Sequence, residues 1–160
     1  MIVRLGYVAI SNKLGKKATS SSTVTYSNYK KLISDEKKFE KLKTVIMSNL
    51  NGLEKHIKYN IENNIHFYRM TSNFIPLATH PDVMWDYLKY FKKDLEYIGK
   101  LIKDNNLRVD AHPDQFNVIN SDKESVVENT LRTLNMQVDL FEAMNYEDGK
   151  MVIHIGGAKG

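Results

Sequence analysis

Four short apolar runs set between long amphipathic stretches leave this chain few possible folds. The runs are residues 2–8, 65–70, 107–112 and 151–155. They are short, rich in β-branched and aromatic side chains, and predict strands. Between them apolar residues recur at threes and fours, the spacing of a helix with one buried face. The first stripe is Phe39, Leu42, Ile46, Leu50, Leu53, Ile57 and Ile61. The second is Trp85, Leu88, Phe91, Leu95, Ile98 and Ile102, and the third is Val127, Leu131, Leu134, Val138 and Phe141. Asn63-Asn64 and Asn105-Asn106 mark two helix ends. Pro81 suits the first turn of the second helix, and Ser121 with Glu124 forms a capping-box pattern for the third. Residues 11–35 predict a long Ser/Thr/Lys-rich loop, with Ser20 to Thr23 as a flexible run.

Strict strand–helix alternation means an α/β class with parallel strands and right-handed crossovers. A dinucleotide-binding sheet would need a glycine-rich turn directly after the first strand. Gly6 stands alone and Gly15 is too distant, which disfavours that fold. Four strands with three main helices amount to about half of a (β/α)8 TIM barrel. Residues 1–160 therefore predict a single domain, read as the N-terminal half of such a barrel because the chain ends shortly after a strand-end histidine. A half barrel leaves two open sheet edges, through which self-association is possible.

Composition narrows the chemistry. The chain has no cysteine, which removes disulfides and thiolate metal sites and fits a reducing cytoplasm. Any metal must then be held by His and carboxylate, a donor set that favours Mn, Fe or Zn. No apolar run reaches 18 residues, so no membrane span is predicted. The formal charge of +4 is compatible with a polyanion partner. Lysines cluster at Lys13, Lys16 and Lys17, at Lys30 and Lys31, and at Lys92 and Lys93.

The third strand is the unusual one. Leu107, Val109 and Ala111 alternate with Arg108, Asp110 and His112, so one of its faces is polar, as when a strand lines a site. In a barrel, functional groups stand at the C-terminal strand ends and in the loops that follow. Three of the five histidines fall there: His80, His112 and His154. Converging neutral imidazoles make a metal site, although a lone strand-end histidine is more commonly a hydrogen-bonded structural residue. Tyr7 reads equally as a core aromatic, Asn12 and Gln115 as turn residues, and Phe116 as a hydrophobic plug.

An ordered set of short motifs adds to this. It runs from Arg4-Leu-Gly-Tyr7 through Tyr68-Arg-Met-Thr-Ser72, Phe74-Ile-Pro76 and His80. It continues with His112-Pro-Asp-Gln-Phe116, Asn120, Val126-Val-Glu-Asn129 and Ile153-His-Ile-Gly-Gly157. Together they resemble the UV-damage endonuclease family over the whole chain. The resemblance implies a TIM-barrel enzyme that nicks damaged double-stranded DNA 5′ to cyclobutane dimers and 6-4 products in excision repair, with Mn²⁺ as cofactor and other divalent metals such as Zn²⁺ possible. It implies that His80, His112 and His154 belong to the metal cluster, and that Tyr7 and Asn12 contact the damaged strand. Gln115 and Phe116 match the pair that wedges into the duplex at the lesion. Two departures stand out: Asp114 where many relatives have glycine, and Phe116 where some have tyrosine. The family's other metal ligands lie in the second half of its barrel, so the 160-residue chain alone is expected to be inactive. Two alternatives stay open: a sugar isomerase or epimerase on the same barrel, and a non-catalytic DNA-binding fragment.

Overall fold

The computed structural model describes residues 3–15, 18–83 and 85–155. Ile2, Lys16, Lys17, Gly156 and Gly157, all singled out above, lie outside the described residues. The elements are β1 (Gly6–Val8), α1 (Tyr26–Lys30), α2 (Asp35–Glu62), β2 (Phe67–Met70), α3 (Leu88–Asp104), β3 (Arg108–Ala111), α4 (Glu124–Ala143) and β4 (Lys150–Met151). All four strands are parallel, and their order in the sheet is β1-β2-β3-β4. A doubly wound sheet reverses its strand order at a switch point, and this sheet does not. Unbroken sequential order with helical crossovers is the arrangement of half a (β/α)8 barrel.

The three long helices end alike, and the chemistry is local. Asn64, Asn106 and Asn145 take the left-handed conformation at φ 53°, 51° and 51°. Asparagine tolerates that region, and it turns the next amide back onto the last helical turn. Ile65 N–H donates to the Asn60 carbonyl, Leu107 N–H to that of Ile102, and Tyr146 N–H to that of Phe141, at 2.9, 3.0 and 2.9 Å. The chain thus leaves each helix aimed at the sheet. At the other end of α2, the Ser34 hydroxyl accepts from Lys37 N–H, with Asp35 and Glu36 in the first turn.

Alternate strand residues Tyr68, Met70, Val109 and Ala111 meet the stripes of α2 and α3, with Ile46, Leu53, Ile57, Leu95, Ile98 and Ile102 almost fully buried. Each such side chain contributes about 1.5–3 kcal/mol. Helices α3 and α4 approach so closely that a Cβ at Gly99 would overlap the Met144 carbonyl. The opposite sheet face carries Phe67, Arg69, Arg108 and Asp110, which line an open cleft.

Several sequence expectations are corrected. α3 begins at Leu88, not near Pro81: Tyr87 is its N-cap, Asp86 just before it accepts from Lys89 N–H, and Pro81 sits in a separate turn. Trp85 therefore precedes α3, although it packs on the core. The Ser121 hydroxyl accepts from Lys123 N–H, so no capping box forms. α4 buries Thr130, Met136, Gln137, Leu140 and Phe141 and leaves Leu131 and Val138 exposed. It carries apolar residues on two sides, and the side that meets α3 and the core is the one with Leu140. The 11–35 loop holds helix α1 and is tightly seated: Ser20 is 2% exposed. No described helix is long and apolar enough to cross a membrane.

Candidate functional site

His112 follows β3 and His154 follows β4, two neighbouring strands in register at Ala111 and Met151. The Val152 N–H donates to the Ala111 carbonyl, which extends the pairing toward the two rings. Their Nε2 atoms are 2.9 Å apart. Desolvation, then His154, then Arg69 hold the His112 imidazole below its usual pKa, and Asp114 opposes this. A neutral imidazole is the form that binds metal. Two imidazole nitrogens brought together at adjacent strand ends supply two donors of the kind a divalent transition metal takes. The pair therefore fits as part of a ligand set. Among the described residues, no three of His, Asp and Glu come together to hold a metal.

His80 is not brought to that pair. Its ring stacks on Tyr26 with centroids 3.9 Å apart, and its Nδ1 accepts from Asp82 N–H. The Tyr26 hydroxyl donates to Asp82 Oδ2 at 2.7 Å, which ties α1 to this loop. His80 shares a cleft of about 530 Å³ with Ser72, Asp114, Asn117 and Asn129, and Ile75, Leu77 and Met136 also line it.

The β3 loop is shaped by Asp114. Its Oδ1 accepts from Phe116 N–H and its carbonyl accepts from the Asn117 amide, a compact turn that holds Gln115 and Phe116 outward. Phe116 is 76% exposed, unusual for a phenylalanine and not the hydrophobic plug that packing alone suggests. Farther on, the buried Thr130 hydroxyl of α4 accepts from Val118 N–H and donates to the Val126 carbonyl, fastening the loop's exit. Sequence reasoning passed over Thr130, whose only signal is a hydroxyl close to the third apolar stripe.

Tyr7 lies on the helix-facing side of β1, away from the histidine pair. Its hydroxyl meets His56 Nδ1 at 2.9 Å, and its ring packs edge-on against Tyr68. Burial pushes the Tyr7 phenol well up and that of Tyr68 up to about 12, so both stay protonated. The protonated Tyr7 hydroxyl and His56 Nδ1 share this hydrogen bond, with its direction set by the imidazole tautomer. Asn12 is exposed in the turn after β1.

His56 has a consequence for pH. Burial is the first cause of its lowered pKa, and a hydrogen bond with the Ala18 backbone opposes the shift. A histidine depressed in the folded state favours folding above its unfolded pKa, near 6.5, and loses that contribution as pH falls through the folded value. The stability difference between wild type and His56→Gln is therefore expected to be constant above pH 6.5 and to shift against wild type below it. Urea midpoints across about pH 5 to 8 test this, and a pH-independent difference would contradict it.

A family model described as UV-endonuclease UvdE matches residues 3–160. UV DNA damage endonucleases of Bacillus mycoides (strain KBAB4) and Bacillus pumilus (strain SAFR-032) are 37% and 38% identical to the chain over 161 residues. Each match covers all of this chain and 50% of the relative. The crystal structure of SacUVDE superimposes with a TM-score of 0.86 at 34% identity, over 99% of this chain and 51% of that one. The chain spans about half the length of the curated relatives it matches.

Proposed function

The chain belongs to the UV-endonuclease UvdE family, and on that premise we propose that it forms part of a metal-dependent endonuclease that nicks DNA 5′ to UV photoproducts in excision repair. The observation that carries this reading is the pairing of His112 and His154 at adjacent strand ends, with an exposed Gln115-Phe116 tip on the loop that leaves His112.

Mn²⁺ is the proposed ion, with Zn²⁺ as the alternative. His112 and His154 would hold it, together with donors from the part of the longer relatives that this chain does not match. His80 stands apart from the pair and is therefore not assigned to the ion. A bound divalent ion supplies Lewis-acid polarisation of a phosphodiester oxygen and an acidic bound water. The chain's own residues do the rest. The low pKa of His112 keeps its nitrogen free to ligate, and the Asp114 turn presents Phe116 to the duplex. Photodimers stack poorly, so opening the helix there costs less than elsewhere. Phe116 would fill the gap by stacking, and the Gln115 amide would occupy the hydrogen bonds of the displaced base. Tyr7 acts from behind, holding β1 to α2, and Asn12 faces the damaged strand from the exposed turn.

The test is nicking of UV-irradiated against untreated duplex, with Mn²⁺ or with chelator. The protein to use joins this chain to the unmatched half of the Bacillus mycoides relative. Irradiated DNA left intact with Mn²⁺ sinks the proposal. In the same protein, Phe116→Ala is expected to weaken binding of irradiated duplex by about 1–3 kcal/mol, roughly 5- to 150-fold, while metal affinity holds. Gln115→Ala is expected to lower the preference for irradiated over untreated duplex. Unchanged discrimination in both variants would remove the wedge from the mechanism.

A further inference from the structure

Residues 112–123 join β3 to α4, and two apolar side chains of that loop, Phe116 and Ile119, stand 76% and 51% exposed. Apolar groups on a loop gain by turning inward, and a refuge is close. Asp114 and Asn117, which flank the tip, line the cleft of about 530 Å³ to which Ile75, Leu77 and Met136 also contribute. The bonds of the Asp114 turn are internal to the tip, so they fix its shape and not its direction. Direction is set where the loop meets α4. Lys123, the N-cap of α4, adds no side-chain bond there. The Thr130 hydroxyl, on a residue 1% exposed, accepts from Val118 N–H at 2.9 Å and donates to the Val126 carbonyl at 2.8 Å. A hydroxyl can join a loop donor to a helix acceptor in this way, and a methyl group can do neither.

We infer that Thr130 is a positioning residue for lesion recognition: by fixing Val118 it keeps the Phe116 ring at the rim and out of the cleft. The inference rests on the wedge reading of Gln115-Phe116. A chain spans at most about 3.3–3.6 Å per residue, so Phe116 lies within about 7 Å of the clamped amide and follows it. Thr130 is buried, so it meets no duplex and acts only through the loop. His112 stands on the other side of the tip, where Val152 N–H donates to the Ala111 carbonyl and ties β3 to the chain after β4. The back of the loop can therefore shift while the histidine pair stays. Losing the clamp changes which DNA is held and leaves the metal site alone.

The experiment uses the protein that joins this chain to the unmatched half of the Bacillus mycoides relative. Binding of irradiated and of untreated duplex gives a discrimination ratio, Mn²⁺ titration gives metal affinity, and hydrogen exchange reads the Val118 amide. Thr130→Val is expected to lower the ratio about fivefold, the worth of one hydrogen bond, and to speed Val118 exchange by a similar factor. Thr130→Ala deletes the hydroxyl while favouring the helix, and gives a second route to the same loss. Thr130→Ser keeps the hydroxyl and should stay within about twofold of wild type, and Mn²⁺ affinity should hold in all three variants. Added to Phe116→Ala, Thr130→Val should change the ratio no further, because it acts through that ring. A ratio lowered by Phe116→Ala but untouched by Thr130→Val and Thr130→Ala would overturn the inference and leave the wedge standing. So would a loss that Thr130→Ser shares, a loss that adds to that of Phe116→Ala, or Val118 exchange that ignores the missing hydroxyl. A Phe116→Ala protein that discriminates like wild type would remove the wedge reading, and the inference with it.

Discussion

Replacing His112 with alanine is expected to lower Mn²⁺ affinity at least about 100-fold and to abolish nicking of irradiated DNA, in the protein that joins this chain to the unmatched half of its relative. The Nε2 atoms of His112 and His154 are 2.9 Å apart, and among the described residues no third donor joins them. On the proposed metal reading either imidazole is half of what this chain would contribute, and alanine leaves a single nitrogen. The rest of the fold has little reason to notice. His112 is only partly buried, and its ring contact is with His154, so the expected stability change is within about 0.5–1 kcal/mol. That asymmetry makes the test specific: metal titration and cutting collapse while the urea midpoint stays. His154→Ala should behave alike. A His112→Ala protein that binds Mn²⁺ as tightly as wild type and still nicks would show that the pair is an ordinary hydrogen bond.

The parts of the molecule legible in the sequence are those decided by local chemistry. α2 and the body of α3 follow their stripes, and Asn64 and Asn106 end them by taking a backbone conformation that few other side chains tolerate. The polar face of β3 was readable as well, since Arg108 and Asp110 two residues apart must point the same way. Periodicity names the residues that share a face but not what that face meets. Hence α4 was read around Leu131 and Val138, both of which stay exposed. Tyr7 stood near a strand end, yet its neighbour across 49 residues is His56, and no local pattern carries that. His80 failed to join the pair for a similar reason: α1, a short helix inside a presumed loop, supplies Tyr26 and stacks on it.

The Ser/Thr-rich segment after β1 is the sharpest case, and it yields the second large effect. Composition suggests a long loop with a flexible Ser20–Thr23 run, but the segment is pinned to α2 by one side chain. Asn49, fully buried, accepts from Ser22 N–H at 2.7 Å and donates to the Ser22 and Phe74 carbonyls at 2.9 and 2.8 Å. It holds together the loop that carries Asn12 and the loop that leads to His80. Three residues on, Gly52 lets the Thr19 backbone lie directly on the helix, where any Cβ would overlap the Thr19 carbonyl. Asn49→Leu keeps the branching at Cγ and deletes all three bonds. Each is worth about 1 kcal/mol, and the orphaned groups at Ser22 and Phe74 add a desolvation cost. The expected loss is about 3–4 kcal/mol, in the range reserved for broken buried networks. It should be accompanied by faster hydrogen exchange at the Ser22 amide, while the α3 amides keep their relative order of protection. A loss under about 1 kcal/mol with Ser22 exchange unchanged would mean that the loop is held by its apolar contacts, Ala18 and Val24, and that the rim does not depend on α2 for its shape.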